Sequence, residues 1–363
     1  MIKKAMIMAA GAGTRLNPLT ANIPKPMVPV VNIPIIELIL RHLQKFGIND
    51  VIANTHYCAE AILDAFGGKN HLGVNFSYVH EKALSGTAGG LKVCESFFEQ
   101  GETFIAISGD ALTNVNIEEL YKKHKESGAI ASMALKEVPM EEVDQFGVVV
   151  IDETSNILEF QEKPKQEEAK SNLVNTGIYI FETAIFNYIP ENTFYDFAKN
   201  VFPAIMKNKE IFCGFKINDY WNDIGTLDQY KSSSFEILNG MADLQMPYEE
   251  SKQGWLADSS KIADSVSIEK KIVVGENSVI EDNVALKGNN VIGSNCIIKS
   301  GAQIKDSILW DNIVIEENVI LDGCIIASSV NIKPDVRLEK DSIVPHGLII
   351  TKPEDLYKET ISV

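Results

Sequence analysis

The chain has 363 residues, 45% apolar and 23% charged, with 33 Lys and Arg against 50 Asp and Glu. That length suits about two domains, and the composition is that of a folded chain, with no low-complexity tract. A formal net charge of −17 lacks the basic footprint of a nucleic-acid binder and disfavours an anionic membrane surface; a few local cations can still hold a small anionic substrate.

The opening MIKKAMIMAAGAGTRL breaks its apolar run at glycine, so no secretory signal is expected. No 18-residue apolar stretch predicts a transmembrane helix. The cysteines Cys58, Cys94, Cys213, Cys296 and Cys324 form no CxxC pair. They read as reduced, mostly buried thiols of a cytoplasmic protein.

Lys4–Ala9 predicts a first strand that stops at glycine. Residues 34–46 carry apolar side chains at helical spacing, with Gly47 as the stop. Strands at 51–54 and 75–79 then alternate with helices at 59–66 and 90–98. Thr103–Ser108 is a strand running into Gly109-Asp110, and Ile117–Ser127 a helix closed by Gly128. This βαβα rhythm, followed by further strands, predicts a mixed, mostly parallel, Rossmann-like sheet covered on both faces. Such sheets bind ligands beyond the carboxyl ends of their strands, here at Ala10–Arg15 and Gly109-Asp110. Strands follow at 129–137, 147–151, 157–161 and 174–181. Helices at 195–207 and 227–238 flank one more strand at 211–217. The sequence boundaries place an α/β domain at 1–239, a linker at 240–254, a repeat domain at 255–345 and a tail at 346–363.

From Ile262 every sixth residue is aliphatic: Ile262, Ile268, Val274, Ile280, Leu286, Ile292, Ile298 and Ile304. A six-residue period predicts a parallel β-helix whose stacked coils share one core. The register slips near Trp310 and Ala327 are expected to bulge out at corners. A flat coil face, or Trp310 beside its slip, offers an apolar patch to a second subunit. The expected assembly is a homodimer or homotetramer.

The densest chemical signal is Ala9-Ala10-Gly11-Ala12-Gly13-Thr14-Arg15, followed by Pro24-Lys25-Pro26. Glycines after a strand let backbone N–H groups approach a phosphate. Arg15 supplies a planar fork for its oxygens and Lys25 a point charge. Asp110, at the end of an apolar strand, and Asp223, between Trp221 and Ile224, are two oxygen donors of the kind that suits Mg²⁺.

The stretch from Ala9 to Pro29 resembles the signature of the sugar-1-phosphate nucleotidylyltransferases. Further matches follow in that family's order: EKALSGTAGG from Glu81 to Gly90, Ser108-Gly109-Asp110, Phe146-Gly147-Val148-Val149, Phe160-Gln161-Glu162-Lys163-Pro164, Val174-Asn175-Thr176-Gly177 and Trp221-Asn222-Asp223-Ile224-Gly225. The resemblance implies attack of a hexose 1-phosphate on the α-phosphorus of a nucleoside triphosphate, with pyrophosphate leaving. It also implies a left-handed β-helix at the C-terminus. Arg15, Lys25, Asp110 and Asp223 would be catalytic, the two aspartates holding Mg²⁺. Ala9, Ala10, Gly11, Gly13, Thr14, Arg15, Glu81, Gly86 and Thr87 would bind the nucleotide. Gly147, Glu162, Lys163 and Asn175 would bind the sugar phosphate, Gly147 by letting the sugar pack on backbone.

The base is where two signals part. Glu81 is acceptor-only and would match the paired N–H donors of guanine. Ala10, where a second glycine could stand, resembles uridylyltransferase members. The charge argument leads to GTP with mannose 1-phosphate; UTP or dTTP with glucose 1-phosphate is the alternative. Acetyl transfer on the coils is disfavoured because no histidine falls between 262 and 338. A regulatory paralogue would be expected to lack one of the five charged groups Arg15, Lys25, Asp110, Lys163 and Asp223, and all are present.

Overall fold

The computed structural model describes residues 1–67 and 70–357, so the end of the expected tail lies outside the described residues. Packing divides the chain into two compact units. One contains Met1–Gly13, Ile23–Met27 and Ile35–Ile224; the other contains Thr14–Asn22, Val28–Pro34 and Gly225–Val363.

The first unit begins as the sequence predicts: β1 (Lys4–Ala9), α1 (Ile35–Lys45), β2 (Asp50–Thr55), α2 (Ala59–Phe66), β3 (Val74–His80), α3 (Gly86–Val93), β4 (Thr103–Ser108) and α4 (Ile117–Ser127). Each boundary has a local cause. Asn116 caps α4 by accepting from the Glu119 N–H, and Gly128 closes it at φ +66°. Phe104, Ile105, Ala106 and Ile107 are all fully buried, as an apolar run covered on both faces must be. Then follow β5 (Ala131–Glu137), β6 (Gly147–Ile151), β7 (Ile157–Glu162), β8 (Leu173–Glu182), α5 (Phe202–Lys207) and β9 (Phe212–Lys216).

The strands join in the order β7-β6-β8-β4-β1-β2-β3, with β5 paired to β8 and β9 to β5. β4, β1, β2 and β3 are parallel, while β8 runs antiparallel to β4. The sheet is therefore mixed. From β1 the chain first steps outward through β2 and β3 and then returns to β1's other side with β4. The crevice between the carboxyl ends of β1 and β4 is thus the topological switch point. One face buries Met6, Ile52, Leu91, Phe104, Phe181 and Phe202 in a common core.

Two helices differ from their sequence boundaries. The expected helix at 90–98 is α3 from Gly86 to Val93, followed by a 3₁₀ turn at Glu95–Phe97. It starts early because the Ala88 and Gly89 N–H groups donate to the Tyr195 carbonyl, both at 3.0 Å. The expected helix at 195–207 is a π turn at Phe197–Val201 leading into α5. Pro203 has no N–H to continue an α ladder across that point.

The second unit contains α6 (Leu227–Leu238) and a parallel β-helix that begins at Gly254. Three columns point inward. Ile280, Ile298, Ile315, Ile332 and Ile350 form one; Leu286, Ile304, Leu321 and Leu338 the second; Val274, Ile292, Leu309, Ile326 and Val344 the third. The slips do not bulge out. They are short corners, Ile304 to Leu309 and Leu321 to Ile326, one residue fewer than the six-residue step. Asp306 and Gly323 make these tight turns with φ of 45° and 68°.

Trp310 sits just past the first short corner and is 7% exposed. Its indole N–H donates to the Tyr230 hydroxyl at 2.8 Å, and that hydroxyl donates to the Pro29 carbonyl at 2.7 Å. It therefore offers no patch to a partner. Lys231 reaches the Gly323 carbonyl and pairs with Asp341, so α6 packs on the coils within this unit. This is why the packing boundary falls at Gly225 and not at the sequence boundary near 240. All five cysteines are free and four are buried. Among the described residues no helix is long and apolar enough to cross a membrane.

Candidate active site

Lys25 is the centre of the charged cluster at the switch point. Its ammonium lies 2.5 Å from Asp110 Oδ2 and donates to the Asp223 carbonyl at 2.8 Å, joining residues 85 and 198 positions away. The Lys25 stem passes over Gly13, where a Cβ would sit 2.6 Å from Lys25 Cβ. Gly13 also has φ +66°. A side chain there would displace the lysine, so this glycine shapes the cluster as well as the turn.

Asp110 leaves β4 through Gly109, whose N–H donates to the Met8 carbonyl at 2.9 Å. Ser108 donates its hydroxyl to Asp110 Oδ1. Burial alone would raise the Asp110 pKa; the Lys25 ammonium and the Ser108 hydroxyl outweigh it and hold the carboxyl below its ordinary value. Gly177, at φ +73°, leaves the room that Ser108 occupies. Behind Asp223, the Trp221 indole donates to the Thr176 carbonyl at 2.9 Å and meets Phe146 edge-on. Ile224 is held at φ 44°, a strained conformation for a β-branched residue.

The loop residues divide into open and engaged groups. A Cβ on Gly11 would meet nothing within 4 Å, so this backbone faces open space. Ala9 and Ala10 are buried. The Ala9 N–H donates to Asn54 Oδ1 at 3.1 Å. Thr14 and Arg15 lie on a 3₁₀ turn, Thr14–Leu16, that belongs to the second unit. There the Arg15 guanidinium runs beside Gly225, where a Cβ would come within 2.9 Å of Nη1.

Several expected ligand residues have prior partners. Glu81 is 6% exposed, and its Oε1 accepts from Asn54 Nδ2 at 2.6 Å. Its Oε2 accepts from the Ser85 N–H at 3.0 Å and from the Ser85 hydroxyl. The premise of the guanine argument, a carboxylate with both oxygens open to a base, therefore does not hold. Thr87 donates its hydroxyl to Asp196 Oδ2 and accepts from the Phe197 N–H, both at 3.0 Å. Gly86, at φ +82°, is required by the Tyr195 carbonyl, which a Cβ would approach to 2.4 Å. Gly147 is likewise required by the Phe160 ring, 2.4 Å from where its Cβ would be. The Cβ direction of Gly147 is thus taken by a neighbouring side chain, while its backbone is half-buried.

Asn175 donates to the Tyr179 hydroxyl at 2.8 Å and accepts from the Gly177 N–H at 3.0 Å. Glu162 and Lys163 end β7 as exposed heads, and Lys163 is held at φ 46° with its N–H on the Phe146 carbonyl. Asn54 was given no role from the sequence, and Ser108 was quoted only within its Ser108-Gly109-Asp110 motif. A polar residue closing the apolar run Val51–Asn54 was the available signal for the first.

Asp110 and Asp223 fit a magnesium ion by donor chemistry. Both side chains offer only oxygen, the hard donor this cation prefers, and Mg²⁺ keeps most of its positions for phosphate and water. Lys25 ties the Asp110 carboxylate and the Asp223 backbone to one point. Among the described residues no group of three or more His, Cys, Asp or Glu side chains forms a complete protein cage.

The family model described as Nucleotidyl transferase matches residues 4–240, and one described as the EIF2B subunit epsilon LbH domain, a left-handed β-helix, matches 252–356. A UTP–glucose-1-phosphate uridylyltransferase of Synechocystis is 39% identical over 69% of this chain and 68% of its own length. A mannose-1-phosphate guanylyltransferase of Mycobacterium tuberculosis is 30% identical over 66% of this chain and 65% of its own. The chain thus spans about two thirds of these relatives. The solved structure of a UDP-glucose pyrophosphorylase with UDP-glucose superposes with a TM-score of 0.58 at 25% identity, covering 66% of this chain and all of that one.

Proposed function

Because the chain belongs to the nucleotidyl transferase family and is a sugar-1-phosphate nucleotidyltransferase, we propose that it transfers a uridylyl group from UTP to glucose 1-phosphate, releasing pyrophosphate. The observation that carries the base choice is Glu81. Its oxygens already accept from Asn54 and Ser85, so the charge argument for guanine falls. Buried Ala10 remains as the base-side signal, and its methyl narrows the pocket toward a pyrimidine. The similarity to the Synechocystis uridylyltransferase supports the same choice. A guanylyl reading with mannose 1-phosphate keeps the support of the 30%-identical guanylyltransferase.

In this reading an oxygen of the sugar phosphate attacks the α-phosphorus of the triphosphate and the bond to pyrophosphate breaks. Both reactants are anions, so positioning and charge neutralisation lower the barrier and no covalent enzyme intermediate is needed. Lys25 and Arg15 would neutralise the phosphates. The Gly11–Gly13 backbone would approach the triphosphate, and Lys163 the phosphate of the sugar, with Glu162 and Asn175 on its hydroxyls. Asp110 and Asp223 would hold Mg²⁺, which supplies charge neutralisation at the phosphate oxygens when bound. Assembly as a homodimer or homotetramer through a flat coil face belongs to the same proposal. The deciding experiment pairs four nucleoside triphosphates with a panel of hexose 1-phosphates and reads pyrophosphate. UTP with glucose 1-phosphate should give the highest kcat/KM; a preference for GTP with mannose 1-phosphate would reverse the assignment.

A further inference from the structure

We infer that Asn54 and Glu81 are positioning residues that set the spacing between the end of β1 and the base loop, through one continuous buried relay. The relay runs from the Ala9 N–H to Asn54 Oδ1, from Asn54 Nδ2 to Glu81 Oε1, and from Glu81 Oε2 to the N–H and hydroxyl of Ser85. Ala9 ends β1, Asn54 lies one residue from the end of β2, and Glu81 follows β3. One chain of hydrogen bonds therefore clasps three adjacent parallel strands at their carboxyl ends.

The orientation of each group is fixed by its partners. A donor on one side and a carboxylate on the other leave the Asn54 amide a single way to face. Every side-chain partner of Glu81 is a donor, which matches an acceptor-only group. Asn54 and Glu81 are 4% and 6% exposed, so the bonds are not exchanged with water. Gly90 makes room for the relay, since a Cβ there would lie 2.4 Å from Asn54 Nδ2 and 3.4 Å from Glu81 Oε1. Between the anchors Glu81 and Ser85, residues Lys82, Ala83 and Leu84 are exposed. The other side of the loop is fixed by the Tyr195 N–H on the Ser85 carbonyl at 2.8 Å. The relay thus decides where Ser85 and Gly86 stand relative to Ala9 and Ala10, the two sides between which the proposed base pocket lies.

The consequence for function rests on the proposed nucleotidyl transfer, but the relay can be tested without it. Asn54→Asp sets two carboxylates against each other. Glu81→Gln loses one acceptor, because an amide cannot accept from both Asn54 and Ser85. The exchange variant Asn54→Asp with Glu81→Gln restores every bond with the middle one reversed. In it the new carboxylate at position 54 accepts from the Ala9 N–H and from the new amide at position 81, whose carbonyl oxygen accepts from Ser85.

Each single variant should raise KM for the nucleotide about tenfold or more. It should leave KM for the sugar phosphate within about twofold and leave the order of preference among nucleotides unchanged. The exchange variant should return KM to within a few-fold of the natural protein. Amide hydrogen exchange of Ser85 in the ligand-free protein should follow the same order: protected, lost in the singles, regained in the pair. An exchange variant no better than the singles in either measurement overturns the relay. If exchange protection is regained while no nucleotide is turned over by any of the proteins, the relay stands and the proposed reaction fails. A changed order of nucleotides in Glu81→Gln would return Glu81 to the base and refute its positioning role.

Discussion

Lys25→Ala tests the centre of the cluster. The ammonium removed is almost wholly buried, and it leaves Asp110, 26% exposed in its side chain, without its counter-charge. Breaking a buried pair costs ~3–5 kcal/mol, and partial access of water to Asp110 brings this to about 2–3 kcal/mol. A domain holds ~5–15 kcal/mol of stability, so most molecules stay folded. Loss of one preorganised donor to a charge-dense transition state costs about 3–4 kcal/mol, or about a hundredfold to a thousandfold in rate. The rate effect therefore exceeds anything unfolding can produce at 25 °C. Pyrophosphate release gives kcat, and urea unfolding gives the stability loss. Adding Asp110→Asn to the variant removes the orphaned charge, so stability should recover in part while turnover stays low. Turnover of Lys25→Ala within tenfold of the natural protein, or a further stability loss on adding Asp110→Asn, would refute this account of the pair.

A chelator should abolish turnover and Mg²⁺ restore it, and Asp110→Asn or Asp223→Asn should each lower kcat at least about a hundredfold; full turnover without divalent cation contradicts both roles. Burial pulls the His42 pKa down to about 4, against the weaker upward pull of the Val115 carbonyl that its ring meets. A lowered histidine pKa gives stability that is complete above its unfolded value near 6.5 and is lost as pH falls toward 4. Between pH 7.5 and 5.5 that is about 1 kcal/mol. Urea midpoints of His42→Gln should show that much less pH dependence, and an unchanged slope refutes the linkage. Light scattering at micromolar concentration should find a dimer or tetramer; a monomer refutes assembly. Truncation near residue 240 should do more than dissociate subunits, because it removes the Ile292 carbonyl from Asn32 and Trp310 from Tyr230. Soluble, active truncated protein would contradict that.

The parallel strands β1 to β4 were legible because their apolar runs stop at glycine or polar residues, and the coil columns because six-residue spacing admits few other folds. The sheet was legible as mixed and mostly parallel, but not which strand reverses, since the direction of β8 depends on pairing with β4 that no local pattern records. Gly147 and Gly86 were located, but one constraint on them was not legible: an added Cβ would meet Phe160 and Tyr195, distant in sequence. Glu81 shows the same limit. Its charge is written in the chain, but its partner Asn54 is 27 positions away, and only folding reveals that they meet.

Residues 14–22 and 28–34 belong by packing with the C-terminal unit, and Asn32 waits for a carbonyl 260 positions downstream. On a ribosome adding roughly 5–20 residues per second, that wait is roughly 13–50 s. During synthesis the segments on either side of Lys25 therefore emerge early and find their final anchors late. A nascent chain of 240 residues already carries every motif of the nucleotidyl transfer site, with Gly225 and Tyr230 beside Arg15 and Pro29, yet Asn32 still lacks the Ile292 carbonyl and Tyr230 the Trp310 indole. The last bonds of the segments that flank Lys25 are thus timed by the far end of the chain.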